Sequence, residues 1–152
     1  MLGEWFECKV RYEKTSESGL VKKVTEPYLL DAYSFTEAEK RFIGEMEPFM
    51  KGKEFQVSDI KRARYAELIE TSDEAADRWF KVKISFLVTD EKSGKEKHTA
   101  ENLLVQASDL RDAVRRLDES MKGSIVDYEI NSVSETAIMD VFHYNDARET
   151  QI

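Results

Sequence analysis

The 152-residue chain is poor in the residues that punctuate, cross-link or ligate. It has one cysteine, Cys8, so no intrachain disulfide can form. Its two histidines, His98 and His143, lie far apart with no cysteine or H-x-x-x-H partner, which excludes structural-zinc spacing. Six glycines leave little material for a phosphate-cradling loop, and no G-x-G-x-x-G, P-loop or G-x-S-x-G occurs. No run of about 18 apolar residues exists to cross a membrane. The N-terminus, Met1 to Lys9, has no basic segment followed by an apolar one, so it does not read as a signal peptide. Positive charge is in deficit: the formal net charge is −8, which argues against a dominant grip on phosphate backbones or anionic lipids. We expect a cytoplasmic protein with no membrane partner, no cofactor, no metal and no catalytic residues.

What is there is a globular composition and a repeat. Hydrophobic residues make up 41% of the chain, enough to build a core. Sliding the chain on itself aligns Trp5-Phe6-Glu7-Cys8-Lys9-Val10 with Trp79-Phe80-Lys81-Val82-Lys83-Ile84. After one extra residue in the second turn, Ser18-Gly19 meets Ser93-Gly94, Glu26 meets Glu101, Leu29 meets Leu104 and Arg41 meets Arg116. Two residues then drop out, and Phe55-Gln56-Val57 meets Tyr128-Glu129-Ile130. Ordered matches with two small gaps, both where loops are expected, indicate an internal duplication covering residues 4 to about 69 and 78 to about 142.

The expected fold is α+β, from two β-β-α-β copies about a pseudo-twofold axis, with mainly antiparallel sheet and one helix per copy. The first copy spans 1–70, an acidic linker 71–77, the second copy 78–144 and a frayed tail 145–152. The two copies are expected to form one compact domain. Phe6, Cys8, Val10 and Tyr12 alternate with charged residues, as do Phe80, Val82, Ile84 and Phe86, which marks half-buried strands. Second strands are expected at about Val21–Tyr33 and Lys95–Ala107, the first of them at an edge or bulged at Pro27. Ser34-Phe35-Thr36-Glu37 has a capping-box layout, and Asp109 to Asp112 repeats it with aspartates. Phe35, Ala38, Phe42, Met46 and Phe49 form the expected apolar stripe of the first helix, with Pro48 at its end. Leu110, Ala113, Val114, Leu117 and Met121 form that of the second, with Gly123 at its end. The third strands are expected to be long, about Glu54–Glu70 and Val126–His143, with bulges at Ser58-Asp59 and Asn131-Ser132. These six strands leave edges that must be covered, by the two copies closing on each other or by a homodimer.

The repeat also filters candidate sites, since a residue present in both copies serves the unit. Cys8 aligns with Val82 on an apolar face, so it reads as core rather than as a nucleophile. Trp5 and Trp79 open their first strands on the opposite face. They read as a twice-repeated stacking platform or as aromatics that pack at a sheet edge. Lys9 with Glu26, and Lys83 with Glu101, are expected to face each other across the hairpins. Lys61-Arg62-Ala63-Arg64-Tyr65 is a basic cluster that the second copy replaces with Ser134 to Ile138. Lys61, Arg62, Arg64 and Tyr65 on one strand suit single-stranded nucleic acid or an acidic protein segment. Alternatively, they neutralise the chain's own carboxylates.

The stretches Gly3 to Tyr12, Val24 to Leu29, Ser34 to Glu39, Val57 to Ala63, Asp73 to Lys81 and Glu135 to Val141 carry a resemblance across nearly the whole chain. They resemble an uncharacterised family of small proteins from Bacteroides-type bacteria, a domain of unknown function. The resemblance implies no activity and no catalytic residues. The expected function is therefore a non-enzymatic cytoplasmic binding or adaptor module with a protein partner, as monomer or homodimer. The alternatives are nucleic-acid binding through residues 61–65, or a small-molecule enzyme with a site between the copies.

Overall fold

A computed structural model describes residues 3–144; the expected tail Asn145–Ile152 lies outside the described residues. The chain is α+β, with two helices and eight strands among the described residues, the strands in two four-stranded, mostly antiparallel sheets. The elements are β1 (Glu4–Thr15), β2 (Val21–Ala32), α1 (Phe35–Met50), β3 (Phe55–Ala63), β4 (Glu67–Ile69), β5 (Arg78–Thr89), β6 (Glu96–Ala107), α2 (Leu110–Ser120), β7 (Asp127–Glu135) and β8 (Val141–Phe142). They form two compact units. Of the described residues, 3–64 with 137–144 belong to the first, and Tyr65–Thr136 are the second.

Each unit starts from a long hairpin. β1 and β2 pair antiparallel from Glu4↔Ala32 to Thr15↔Val21, and β5 and β6 pair from Arg78↔Ala107 to Thr89↔Glu96. The turns need a left-handed residue, and Gly19 (φ 84°) and Gly94 (φ 70°) supply it without a Cβ penalty. The register places Lys9 opposite Pro27 and Glu26 opposite Val10, one residue away from the expected Lys9–Glu26 pairing. Lys83 likewise faces Asn102 instead of Glu101. Glu26 instead accepts a 2.6 Å hydrogen bond from the Tyr12 hydroxyl.

The third strands complete the antiparallel part, β3 on β1 and β7 on β5. Both expected bulges are present. Lys9 pairs with Asp59 and Val10 with Val57, which leaves Ser58 unpaired. Lys83 pairs with Ser132 and Ile84 with Ile130, which leaves Asn131 unpaired.

The third strands are not as long as expected. β3 stops at Ala63 and β7 at Glu135, and the stretches that follow form the separate strands β4 and β8. These two pair parallel, in the strand orders β3-β1-β2-β8 and β4-β6-β5-β7. A strand edge presents unpaired backbone groups, and the short strands cover part of the outer edges of β2 and β6. Along β2, the Pro27 carbonyl accepts from the Met139 N–H (2.8 Å) and the Leu29 N–H donates to Asp140 (3.0 Å). Pro27 therefore directs its backbone groups away from β1, and its missing N–H interrupts no bond of the hairpin.

Side chains lock these strands in place. The Asp31 Oδ1 accepts the Tyr144 N–H at 2.7 Å and an Arg41 guanidinium N–H at 2.9 Å. Arg41 also donates to the Asp31 carbonyl and lies 4.8 Å from the Tyr144 ring centroid. In the second unit, Gln106 takes the aligned place: its Oε1 accepts the Thr71 N–H at 3.0 Å and its Nε2 donates to Ala76. Arg116, aligned with Arg41, joins Asp112 (2.8 Å) to Asp73 (2.9 Å) of the acidic stretch 71–77. The hydrogen bond from Arg116, followed by that from the Ser108 N–H, holds the Asp112 carboxyl well below the usual carboxylate range.

Each helix covers one face of its sheet. Ser34 and Asp109 cap the helices by accepting from the N–H of Glu37 (3.1 Å) and Asp112 (2.8 Å). The first core joins Phe6, Cys8, Val10, Tyr28 and Leu30 to Ala38, Phe42, Met46 and Met50. The second joins Phe80, Val82, Ile84, Leu103 and Val105 to Ala113 and Leu117.

The α1 stripe differs from expectation at both ends. Phe35 and Phe49 are 46% and 61% exposed, and Met50 is buried in place of Phe49. Pro48 lies inside the helix, which runs on until Lys51 turns left-handed (φ 49°). The buried residues fall at strict four-residue intervals, Ala38, Phe42, Met46 and Met50, a row that drifts away from Phe49. In α2, Leu110 is 50% exposed in the place of Phe35. Phe42→Ala is expected to lower stability by about 3–5 kcal/mol and Phe49→Ala by less than about 1 kcal/mol, read by chemical denaturation; similar losses would contradict this helix phase.

Candidate binding surface

The basic run 61–65 is not one surface. β3 ends at Ala63, so Arg64 and Tyr65 have left the strand, and the pleat turns Lys61 and Arg62 to opposite faces. Both are already engaged. Lys61 pairs with Glu7 at 3.4 Å, and Arg62 pairs with Glu4 at 3.1 Å while lying 5.5 Å from the Phe35 ring. In the second unit the positions aligned with Glu4 and Arg62 hold Arg78 and Glu135, which pair at 3.5 Å. The asymmetry at Arg62 is thus one ion pair written in two polarities. Neutralised by Glu7 and Glu4, Lys61 and Arg62 have less to offer a phosphate backbone.

The tryptophans part company. Trp79 is 3% exposed and presents no surface for stacking. Trp5 is half-buried and meets His143 edge-on, 5.3 Å between ring centroids. Cys8 is fully buried in the first core, and burial pushes its thiol up to about 12, far from a reactive thiolate. Among the described residues, no three His, Cys, Asp or Glu side chains are grouped so as to hold a metal ion.

A concave site does occur, at residues the sequence did not single out. The far end of the β1–β2 hairpin and the start of β3 enclose a groove of about 930 Å³, within the size range of small-molecule sites. Tyr12 and Phe55 border it, half-buried at the end of the first core; they face each other across β1 and β3, and the pleat turns Arg11 and Lys23 to the opposite face. The Tyr12 hydroxyl is committed to Glu26; desolvation and that hydrogen bond push its phenol up to about 12. Arg11, Lys23 and Lys53 bring cations to the groove, and Glu13 and Glu54 bring carboxylates. Among the described residues, none of these three cations has a carboxylate within ion-pair distance.

A smaller recess of about 320 Å³ lies between the first turn of α1 and the β3 bulge. Its charged residues, Glu39 and Asp59, are both acidic.

The family match covers residues 4–144. The chain belongs to the DUF4494 family, a domain of unknown function. No curated protein and no solved structure matches the chain. Among the described residues of this DUF4494 chain, no helix is long and apolar enough to cross a membrane.

The two polarities of the ion pair are expected to be interchangeable. The double variant Glu4→Arg with Arg62→Glu, which copies the second unit's arrangement, should keep stability within about 0.5 kcal/mol of the parent in chemical denaturation, because the pair is half exposed. A loss above about 2 kcal/mol would assign these side chains a larger structural role.

Proposed function

We propose that this DUF4494 protein is a non-enzymatic binding module of the bacterial cytoplasm, built by internal duplication, whose ligand enters the groove at the end of the β1–β2 hairpin. The observation that carries the reading is the groove itself, lined by Arg11, Lys23 and Lys53, for which no carboxylate lies within ion-pair distance among the described residues. Binding is favoured over catalysis by the state of the nearby groups. The Tyr12 phenol is fixed on Glu26 and stays protonated at neutral pH, and the chain's one thiol is buried.

Three features support the duplication. Both units contain a long hairpin followed by a helix and a third antiparallel strand; both bulge at the aligned residues Ser58 and Asn131; and both receive a short parallel strand on the second strand of the hairpin. A cytoplasmic location suits the single free thiol.

The test is amide-shift mapping by NMR with a panel of small organic molecules. Hits should perturb residues 11–15, 21–23 and 53–56 together. Perturbations scattered over both units, or none with any molecule, would refute the groove as the binding site.

A further inference from the structure

We propose that a second copy of this chain docks on the outer edge of β6, from Lys97 to Glu101, by antiparallel strand addition across a two-fold axis at Thr99. The surface lies in the second unit and is independent of the groove.

The backbone of this edge is open. β4 covers β6 from Leu103 to Val105, and the Ala66 N–H donates to the Asn102 carbonyl at 2.8 Å. Backbone groups alternate sides along a strand, so the bond at Asn102 sets the even-numbered residues of β6 toward its outer edge. The N–H and C=O of His98 and Ala100 therefore point away from β5, and residues 96–100 are all exposed. Proteins blunt such edges with a bulge, a proline or a cover. β3 and β7 carry bulges, and Pro27 closes the matching stretch of β2. Between Glu96 and Asn102, β6 has no proline, and its register on β5 runs without a shift.

Charge names the occupant. Lys97, Thr99 and Glu101 share one face of the strand, with the lysine and the glutamate on either side of the threonine. Two antiparallel copies pair with edge-facing residues opposite edge-facing residues. With Thr99 on the axis, His98 meets the partner's Ala100, and Lys97 stands across from the partner's Glu101. Symmetry then makes each contact twice. An axis at His98 would set that residue against itself and Lys97 against a threonine. An axis at Ala100 would push Lys97 toward the partner's Leu103, whose edge β4 already holds. Opposite charges directly across a strand pair are stabilising. Among the described residues, neither Lys97 nor Glu101 is in an ion pair. A foreign strand would have to bring both signs at this spacing, whereas a second copy brings them by symmetry.

The first unit supplies the contrast. Lys22 and Glu26 are aligned with Lys97 and Glu101, but Glu26 is taken by the Tyr12 hydroxyl at 2.6 Å. Phe86 stands in the place of Tyr12 and has no hydroxyl, so the Glu101 carboxylate keeps its full charge for a partner.

The experiment is sedimentation equilibrium of the full chain at low salt, up to about 1 mM, with amide hydrogen exchange at each end of that range. A monomer–dimer equilibrium is expected, with exchange slowing at His98 and Ala100 as the dimer forms and unchanged at the aligned Lys23 and Thr25. Lys97→Glu and Glu101→Lys should each weaken self-association about 10-fold, because each turns both attractive contacts into like-charge contacts. An equimolar mixture of the two variants restores both contacts and should dimerise about as well as the parent. Ala100→Pro removes an edge N–H without touching the bonds to β5 and should abolish the dimer. Thermal unfolding checks that each variant is folded. A chain that stays monomeric at about 1 mM would overturn the proposal. So would a dimer that Lys97→Glu and Ala100→Pro leave intact, or one that forms with no change at His98 and Ala100. Variants that weaken the dimer without rescue on mixing would overturn the two-fold register.

Discussion

The architecture depends on how the outer edge of each hairpin is closed. A twelve-residue hairpin strand such as β2 or β6 has one side paired with its partner and the other side bare. Buried backbone groups left without partners cost far more than the modest gain of an average hydrogen bond. Two short parallel strands meet this need over the apolar middle of β2 and β6, at Leu29–Leu30 and Leu103–Val105. Residues on these stretches are among the most buried of the chain: Leu29, Leu30, Leu104 and Val105 have no exposed surface. Covering is concentrated where burial is deepest, and the hairpin ends, which stay solvated, carry the charges that line the groove.

The opposite edges are managed differently. β3 and β7 are the outer strands of their sheets, and each is interrupted by a bulge and studded with charge. Bulges and charged side chains discourage further strand addition. The Glu4–Arg62 and Arg78–Glu135 pairs tie these outer strands to their neighbours at aligned positions with reversed sign, so local pairing is met twice by opposite solutions.

Much of the fold was legible in the sequence because its signals are local. Alternating apolar residues marked β1 and β5, glycines marked the turns, and Ser34 and Asp109 marked the helix starts. The lapse of alternation at Ser58 and Asn131 marked the bulges. The short strands were not legible: Glu67–Ile69 and Val141–Phe142 follow β3 and β7 so closely that they read as their continuation, and parallel pairing leaves no local signature. The α1 stripe differs at its end because the helix continues through Pro48 and its buried row keeps four-residue steps, which reach Met50 and leave Phe49 outside. The candidate site shows the same limit. Lys61 to Tyr65 are contiguous in sequence and dispersed by the pleat, whereas Arg11, Lys23 and Lys53 are dispersed in sequence and gathered by the hairpin. A signal for the second set lies in the internal alignment, which sets Arg11, Lys23 and Lys53 against Ser85, His98 and Val126.

The dependence of the first sheet on its parallel edge strand can be measured by native-state hydrogen exchange on a chain ending at Thr136, compared with the full chain. Loss of the Met139–Pro27 and Leu29–Asp140 bonds, of the Asp31–Tyr144 contact and of buried Phe142 is expected to remove on the order of 4 kcal/mol from the first unit. Amide protection should therefore fall throughout β1, β2, α1 and β3 and persist in β5, β6, α2 and β7. Unchanged protection in β1, β2 and α1 would contradict the account.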